Sequence, residues 1–240
     1  MFLTFRSIIW LIPACLALAG CDVPTTPLPT PAAGTATATP LPDDAIRQAA
    51  RRFVTAAERV EPVAERTCRR RTPDLRCDFR IVIDDRPDAP INAFQMRDDA
   101  GNPVIAVTVP LIAYVRNVDE MAFILSHEAA HHISRHLDRR RQSTEATSLI
   151  FAQIAAASGG NVGVSTAARL GALVGSRTYA KEYELEADAL GALIARDAGF
   201  DAINGARYFE RAPDPGNRFL GTHPPNGDRV EAVRRALAGG

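Results

Sequence analysis

At 240 residues, 46% hydrophobic and 23% charged, the chain has enough length for one substantial core or two small ones, and its composition excludes wholesale disorder. Its 28 acidic and 28 basic residues cancel, so no net field draws it to nucleic acid or to an acidic surface. Partners have to be argued from sites.

Residues 1–20, MFLTFRSIIWLIPACLALAG, place one positive charge at Arg6 before an apolar run that is short for a membrane span and ends in small residues, the pattern of a secretory signal. The run closes on Leu18-Ala19-Gly20-Cys21, which resembles the bacterial lipobox. That resemblance implies cleavage before Cys21, lipidation of its thiol and attachment to a membrane surface without a spanning helix. The alternative is an ordinary signal that ends near a cysteine. Asp22 points weakly to the inner membrane, with the outer membrane open. Residues 21–42 are rich in Pro, Thr and Ala and read as an extended tether.

The folded domain is expected over 43–240. Residues 43–66 carry apolar positions at helical spacing behind an Asp cap and predict a first helix. Next come RCDFRIVIDD, PINAFQM and NPVIAVTVPLIAYV, apolar or alternating stretches between turn signals that predict a small sheet. Cys68 and Cys77 remain once Cys15 leaves with the signal and Cys21 takes lipid. An oxidising compartment would join them, closing a small loop worth roughly 2–3 kcal/mol; the alternative, a two-cysteine metal site, fits less well because no histidine lies near.

After Asn117 the pattern turns helical, with Asp119 as a plausible cap. FILSHEAAHHISRH, residues 123–136, holds four of the chain's five histidines. On a helix His127 and His131 lie one turn and about 40° apart, so both imidazoles can reach one ion, and Glu128 beside them can reach a water on that ion. This is the HExxH arrangement. His132 and His136 are also one turn apart, but they share an arc with Met121, Leu125, Ala129 and Ile133 and have no carboxylate between them. They read as packed or supporting histidines.

Residues 143–176 are Ala/Gly-rich and weakly amphipathic, interrupted near 158–161, and suit either close helix packing or a membrane surface. A further helix is expected from about 177 to 197, stopped by Gly199. HExxH needs a third ligand, and this helix offers Glu182, Glu184, Glu186 and Asp188. Glu184 and Asp188 share a face with Gly191 and Ala195, small residues that admit another helix, whereas Glu182 and Glu186 lie on the far, solvated side. Shorter helices are expected on each side of a loop over 213–228.

HEAAH, then ELEAD, then THPPNGDR together resemble the membrane-associated zinc peptidases that include the CaaX prenyl protease, HtpX and the periplasmic BepA-type enzymes. The resemblance covers about residues 45–235 and implies a mainly helical, zincin-like α+β fold with a small sheet beside the active helix. It implies one Zn2+ per chain held by His127, His131 and Glu184, with Asp188 bracing a ligand histidine. Asn92, Ala93 and Phe94 match the substrate-side edge strand, and His223 and Arg229 match late positions near the metal, as a lid or as oxyanion stabilisers. By itself, His223 before two prolines reads equally as a turn residue. The family often has Ser-Arg just before the ligand glutamate; here Ala180-Lys181 stand there, and Ser176-Arg177 come four residues too early.

The mechanism implied is hydrolytic: the ion acidifies a water, Glu128 takes its proton, and the hydroxide attacks a peptide carbonyl. The expected protein is a periplasm-facing lipoprotein that acts as an endopeptidase on misfolded or misassembled envelope proteins, with other assembly partners unspecified. The alternative is a lipid-anchored, chaperone-like binding module of the same fold. A purely structural zinc fits less well, because a closed site would use four protein ligands, often cysteines.

Overall fold

The structure, a computed structural model, describes residues 42–159, 163–178, 180–214, 216 and 223–239. The expected signal, Cys21 and all of the tether but Pro42 lie outside the described residues. Every element below belongs to the unit Leu41–Gly240.

The order is α1 (Asp43–Arg71), β1 (Arg80–Asp84), β2 (Ala93–Arg97), β3 (Pro103–Thr108), α2 (Val109–Tyr114), α3 (Val118–Ile133), α4 (His136–Ala157), α5 (Val164–Thr178), α6 (Ala180–Asp197), α7 (Ala202–Ala206), α8 (Tyr208–Arg211) and α9 (Asn226–Ala238). This is a mostly helical α+β fold with a small sheet beside its helices. The strands run β1-β3-β2, β1 parallel and β2 antiparallel to β3. Every residue of PVIAVT in β3 is buried, as expected of a central strand covered on both faces.

Helix α3 is the axis of the fold. Most of its residues are buried, because α1, β2, β3, α6 and α7 all pack around it. Met121 and Leu125 join one core with Phe53 and Val60 of α1, Ile105 and Val107 of β3, and Leu190 and Ile194 of α6. Phe123 faces a second core with Phe209 and Val233. Each such large side chain contributes about 1.5–3 kcal/mol by leaving water. Glu120 is buried too, held by Arg211 at 2.7 Å on both oxygens and by the Arg116 backbone N–H at 2.8 Å.

Several elements differ in detail from the sequence expectation. Helix α1 continues five residues past Arg66 to Arg71, with Pro62 inside it. Asp43 and Asp44 occupy its first turn without capping it. The expected third strand turns helical halfway: the Thr108 hydroxyl accepts from Leu111 N and Pro110 sits in the first turn, so VPLIAY becomes α2. Asn117, not Asp119, caps α3, accepting from Glu120 N at 2.8 Å. Asp119 instead holds Asp201 N and the Asn204 amide. Arg177 belongs to α5, and α6 starts at Ala180.

The Ala/Gly-rich stretch forms the hairpin of α4 and α5. A Cβ on Gly171 would lie 2.4 Å from the Thr147 carbonyl oxygen, and one on Gly175 2.4 Å from that of Ser143. Glycine is what permits this approach. Among the described residues, no helix is long and apolar enough to cross a membrane. Cys68 and Cys77 are disulfide-bonded with Cα atoms 5.6 Å apart, tying the end of α1 to the approach to β1.

Candidate metal centre

Helix α3 presents His127 and His131 one turn apart, and α6 crosses it closely enough to bring Glu184 and Asp188 to the same place. Gly191 makes the crossing possible: a Cβ there would stand 2.9 Å from both Cα and N of His127. Ligand atoms of His127, His131 and Glu184 all lie within 4.8 Å of one another. The two Nε2 atoms are 3.0 Å apart, and Glu184 oxygens lie 3.4 Å from His131 Nε2 and 3.7 Å from His127 Nε2. Donors about 2.0–2.1 Å from one tetrahedral zinc would stand roughly 3.3–3.4 Å apart. Two imidazoles and a carboxylate at these spacings fit that ion.

The candidate ligands are held from behind. The Nδ1 of His127 lies 2.9 Å from Asp188 Oδ1, so its proton faces the carboxylate and Nε2 is left as the donor to a metal. Arg229 closes on Asp188 with Nε at 2.7 Å and NH2 at 2.8 Å, and its NH2 lies 3.2 Å from Glu184 Oε2. Its guanidinium also covers the Phe209 ring at 3.9 Å. Arg229 is therefore buried and clamped beside the expected ligands, an arrangement that does not suit a swinging lid. His223 is half-exposed at the mouth, with Nδ1 3.3 Å from Glu184 Oε2.

These contacts set the charges. Burial opposes ionisation of Glu184, but His131, His223, His127 and Arg229 outweigh it and hold the carboxyl well below its ordinary value. Burial likewise acts against Asp188, and His127 and Arg229 reverse it to keep the group low. Burial alone would push His127 down, yet Asp188 raises it. Glu128 differs: burial dominates and raises its carboxyl. Part of Glu128 stays accessible to water because it faces the cleft.

That cleft, of about 630 Å³, is lined by His127, Glu128, His131 and Glu184, with Asn92, Ala93 and Phe94 along one side. All the expected site residues within the described part thus lie in it or against it, apart from the disulfide. Just before β2, Asn92 O accepts from Thr108 N at the end of β3, so Asn92 and, two residues on, Phe94 turn their backbone groups toward β3. Those of Ala93 and Gln95 point outward, and among the described residues β2 pairs with β3 alone.

His132 is a packed histidine, its Nε2 2.8 Å from the Arg76 carbonyl and its ring edge-on to Phe79. His136 does not share the α3 arc. The helix breaks at Arg135, which takes a left-handed conformation (φ 57°) and pairs with Asp74, so His136 begins α4 and swings back to His131. Their Nδ1 atoms are 2.8 Å apart. Burial, then His131, push His136 down to about 4. Glu186 is likewise more than a solvated side chain, lying 3.2 Å from His136 Nε2 and 2.7 Å from Arg139 NH1. Sequence reasoning passed over Tyr183, whose ring stacks on His136, and Phe209 beneath Arg229. No spacing signal marks either.

Residues 54–237 match the family model described as peptidase family M48. The chain is also 28% identical over 166 residues to a protein of Vibrio cholerae serotype O1 provisionally named a beta-barrel assembly-enhancing protease, covering 60% of this chain and 34% of that relative. The chain therefore spans about a third of the relative's length.

Proposed function

Because the chain belongs to peptidase family M48, we propose that it is a zinc-dependent endopeptidase of the bacterial envelope, acting on misfolded or misassembled envelope polypeptides. The observation that carries this reading is the convergence of His127, His131 and Glu184 within 4.8 Å, with Glu128 in the same cleft. His127, His131 and Glu184 would hold the ion, which when bound supplies a Lewis acid that polarises a peptide carbonyl and acidifies water.

The remaining chemistry belongs to the chain. Glu128 accepts a proton from the attacking water on its carboxylate and delivers it to the leaving amine nitrogen, so the proton count closes over one turnover. Its raised carboxyl suits both transfers: burial makes the carboxylate a stronger base toward water, and the acid form can still return the proton to a strongly basic amine nitrogen. Asp188 and Arg229 keep His127 and Glu184 in place. The outward backbone groups of Ala93 and Gln95 offer an extended substrate main-chain hydrogen bonds, a mode with little side-chain selectivity. The name of the Vibrio relative, a protease that enhances beta-barrel assembly, supports polypeptide substrates. The resemblance of Leu18-Ala19-Gly20-Cys21 to a lipobox supports an exported, lipid-anchored protein with a signal over 1–20, a tether over 21–42 and a peptidase domain over 43–240.

The test is casein digestion by the purified full chain alongside metal analysis. Wild type should carry about one zinc and digest casein. Glu128→Gln should keep the zinc and lose about 10²–10⁴-fold in rate. Undiminished digestion by that variant would remove Glu128 from the mechanism, and a zinc-loaded wild type that binds unfolded chains without cutting them would favour the chaperone-like module.

A further inference from the structure

We propose that His136 is a positioning residue that selects the metal-binding tautomer of His131, and that Glu186 in turn selects the tautomer of His136. The inference rests on the metal-site reading above. It starts from an asymmetry: the Nδ1 of His127 meets a carboxylate directly, whereas the Nδ1 of His131 meets another imidazole, His136 Nδ1, at 2.8 Å.

A neutral imidazole carries one N–H. For His131 to offer a lone pair at Nε2, facing His127 and Glu184, its proton has to sit on Nδ1. It then donates to His136 Nδ1, which must be the bare nitrogen of that ring. The His136 proton is thereby assigned to Nε2, a buried atom whose close polar neighbour is Glu186 Oε2 at 3.2 Å. The pair falls short of hydrogen-bond geometry, but a carboxylate at that distance favours a proton on the facing nitrogen. Arg139 holds the same Glu186 oxygen at 2.7 Å, and Tyr183 stacks on the His136 ring with planes 13° apart, fixing its orientation. With the opposite tautomer, His136 would donate to His131 Nδ1, forcing the His131 proton onto Nε2 and removing a ligand. The order Glu186, His136, His131 thus does for the second ligand histidine what Asp188 does for the first.

Zinc affinity of the full chain, measured by competition with a chromophoric chelator, tests this. His136→Leu, of similar bulk but without an acceptor, should weaken zinc binding by about 10–100-fold. His136→Asn, whose carbonyl oxygen can stand near the Nδ1 position, should recover most of that loss. Glu186→Gln should give a smaller weakening of the same sign. In the zinc-loaded wild type, long-range ¹H–¹⁵N spectra should show protons on His131 Nδ1 and His136 Nε2. A proton on His136 Nδ1 would overturn the proposal, as would a His136→Leu variant with wild-type affinity or an Asn variant no better than Leu. If His136→Leu does not fold, the spectra and the other two variants still decide. A wild type that binds no zinc would instead overturn the metal-site reading, and this proposal with it.

Discussion

In the pair α3 and α6, Gly191 lies against the backbone of His127; in the pair α4 and α5, Gly171 and Gly175 lie against the backbones of Thr147 and Ser143. Both crossings depend on a missing Cβ, yet their surroundings differ. Around Gly191 the helices are buried and the polar groups are paired, Asp188 with His127 and Arg229, and Glu184 with His131. Around Gly171 and Gly175 the hairpin packs largely on itself and leaves Leu149, Ile150, Ile154, Leu170 and Leu173 exposed. Close approach sets only a distance. Chemistry follows when the helices that meet are held by the rest of the fold and carry ligands at the crossing.

The largest test of this difference is to remove the charge at the buried crossing. Asp188→Ala strands Arg229 in the core, and breaking a buried pair costs about 3–5 kcal/mol. The lower end, about 3 kcal/mol in urea unfolding, is expected, because Glu184 Oε2 remains 3.2 Å from Arg229. A loss under about 1 kcal/mol would mean that the clamp is not what holds the crossing.

A single methyl group then separates the two glycine contacts by function. Gly191→Ala and Gly171→Ala should each lower stability by about 1–3 kcal/mol through overpacking. Only Gly191→Ala should also weaken zinc binding in the chelator competition, since its Cβ presses on His127 itself. Equal effects on zinc would erase the distinction between the pairs.

The smallest effect is expected at the exposed end of the hairpin. Replacing Leu149 and Ile154, 63% and 61% exposed, by Gln should change the melting free energy by less than about 0.5 kcal/mol per site and leave zinc affinity unaltered. A cooperative loss of stability there would show that the hairpin contributes to the core after all.

The sequence by itself determined the features that obey local periodicity. Helical spacing put His127 and His131 on one face with Glu128 beside them, and placed Glu184 and Asp188 on the same side of α6 as Gly191. It also marked α1 and the positions of the three strands. Tertiary structure alone decided where those faces meet, because a helix face says nothing of its partner until two cores have closed around α3. It decided the break at Arg135 as well: no glycine or asparagine announces a left-handed residue there, and its side chain pairs with Asp74, far back in the chain. That break carries His136 off the α3 arc and onto His131, and the same closure turns Arg229 inward against Asp188. Such long-range pairings depend on the positions of several elements at once, which no spacing within one element encodes.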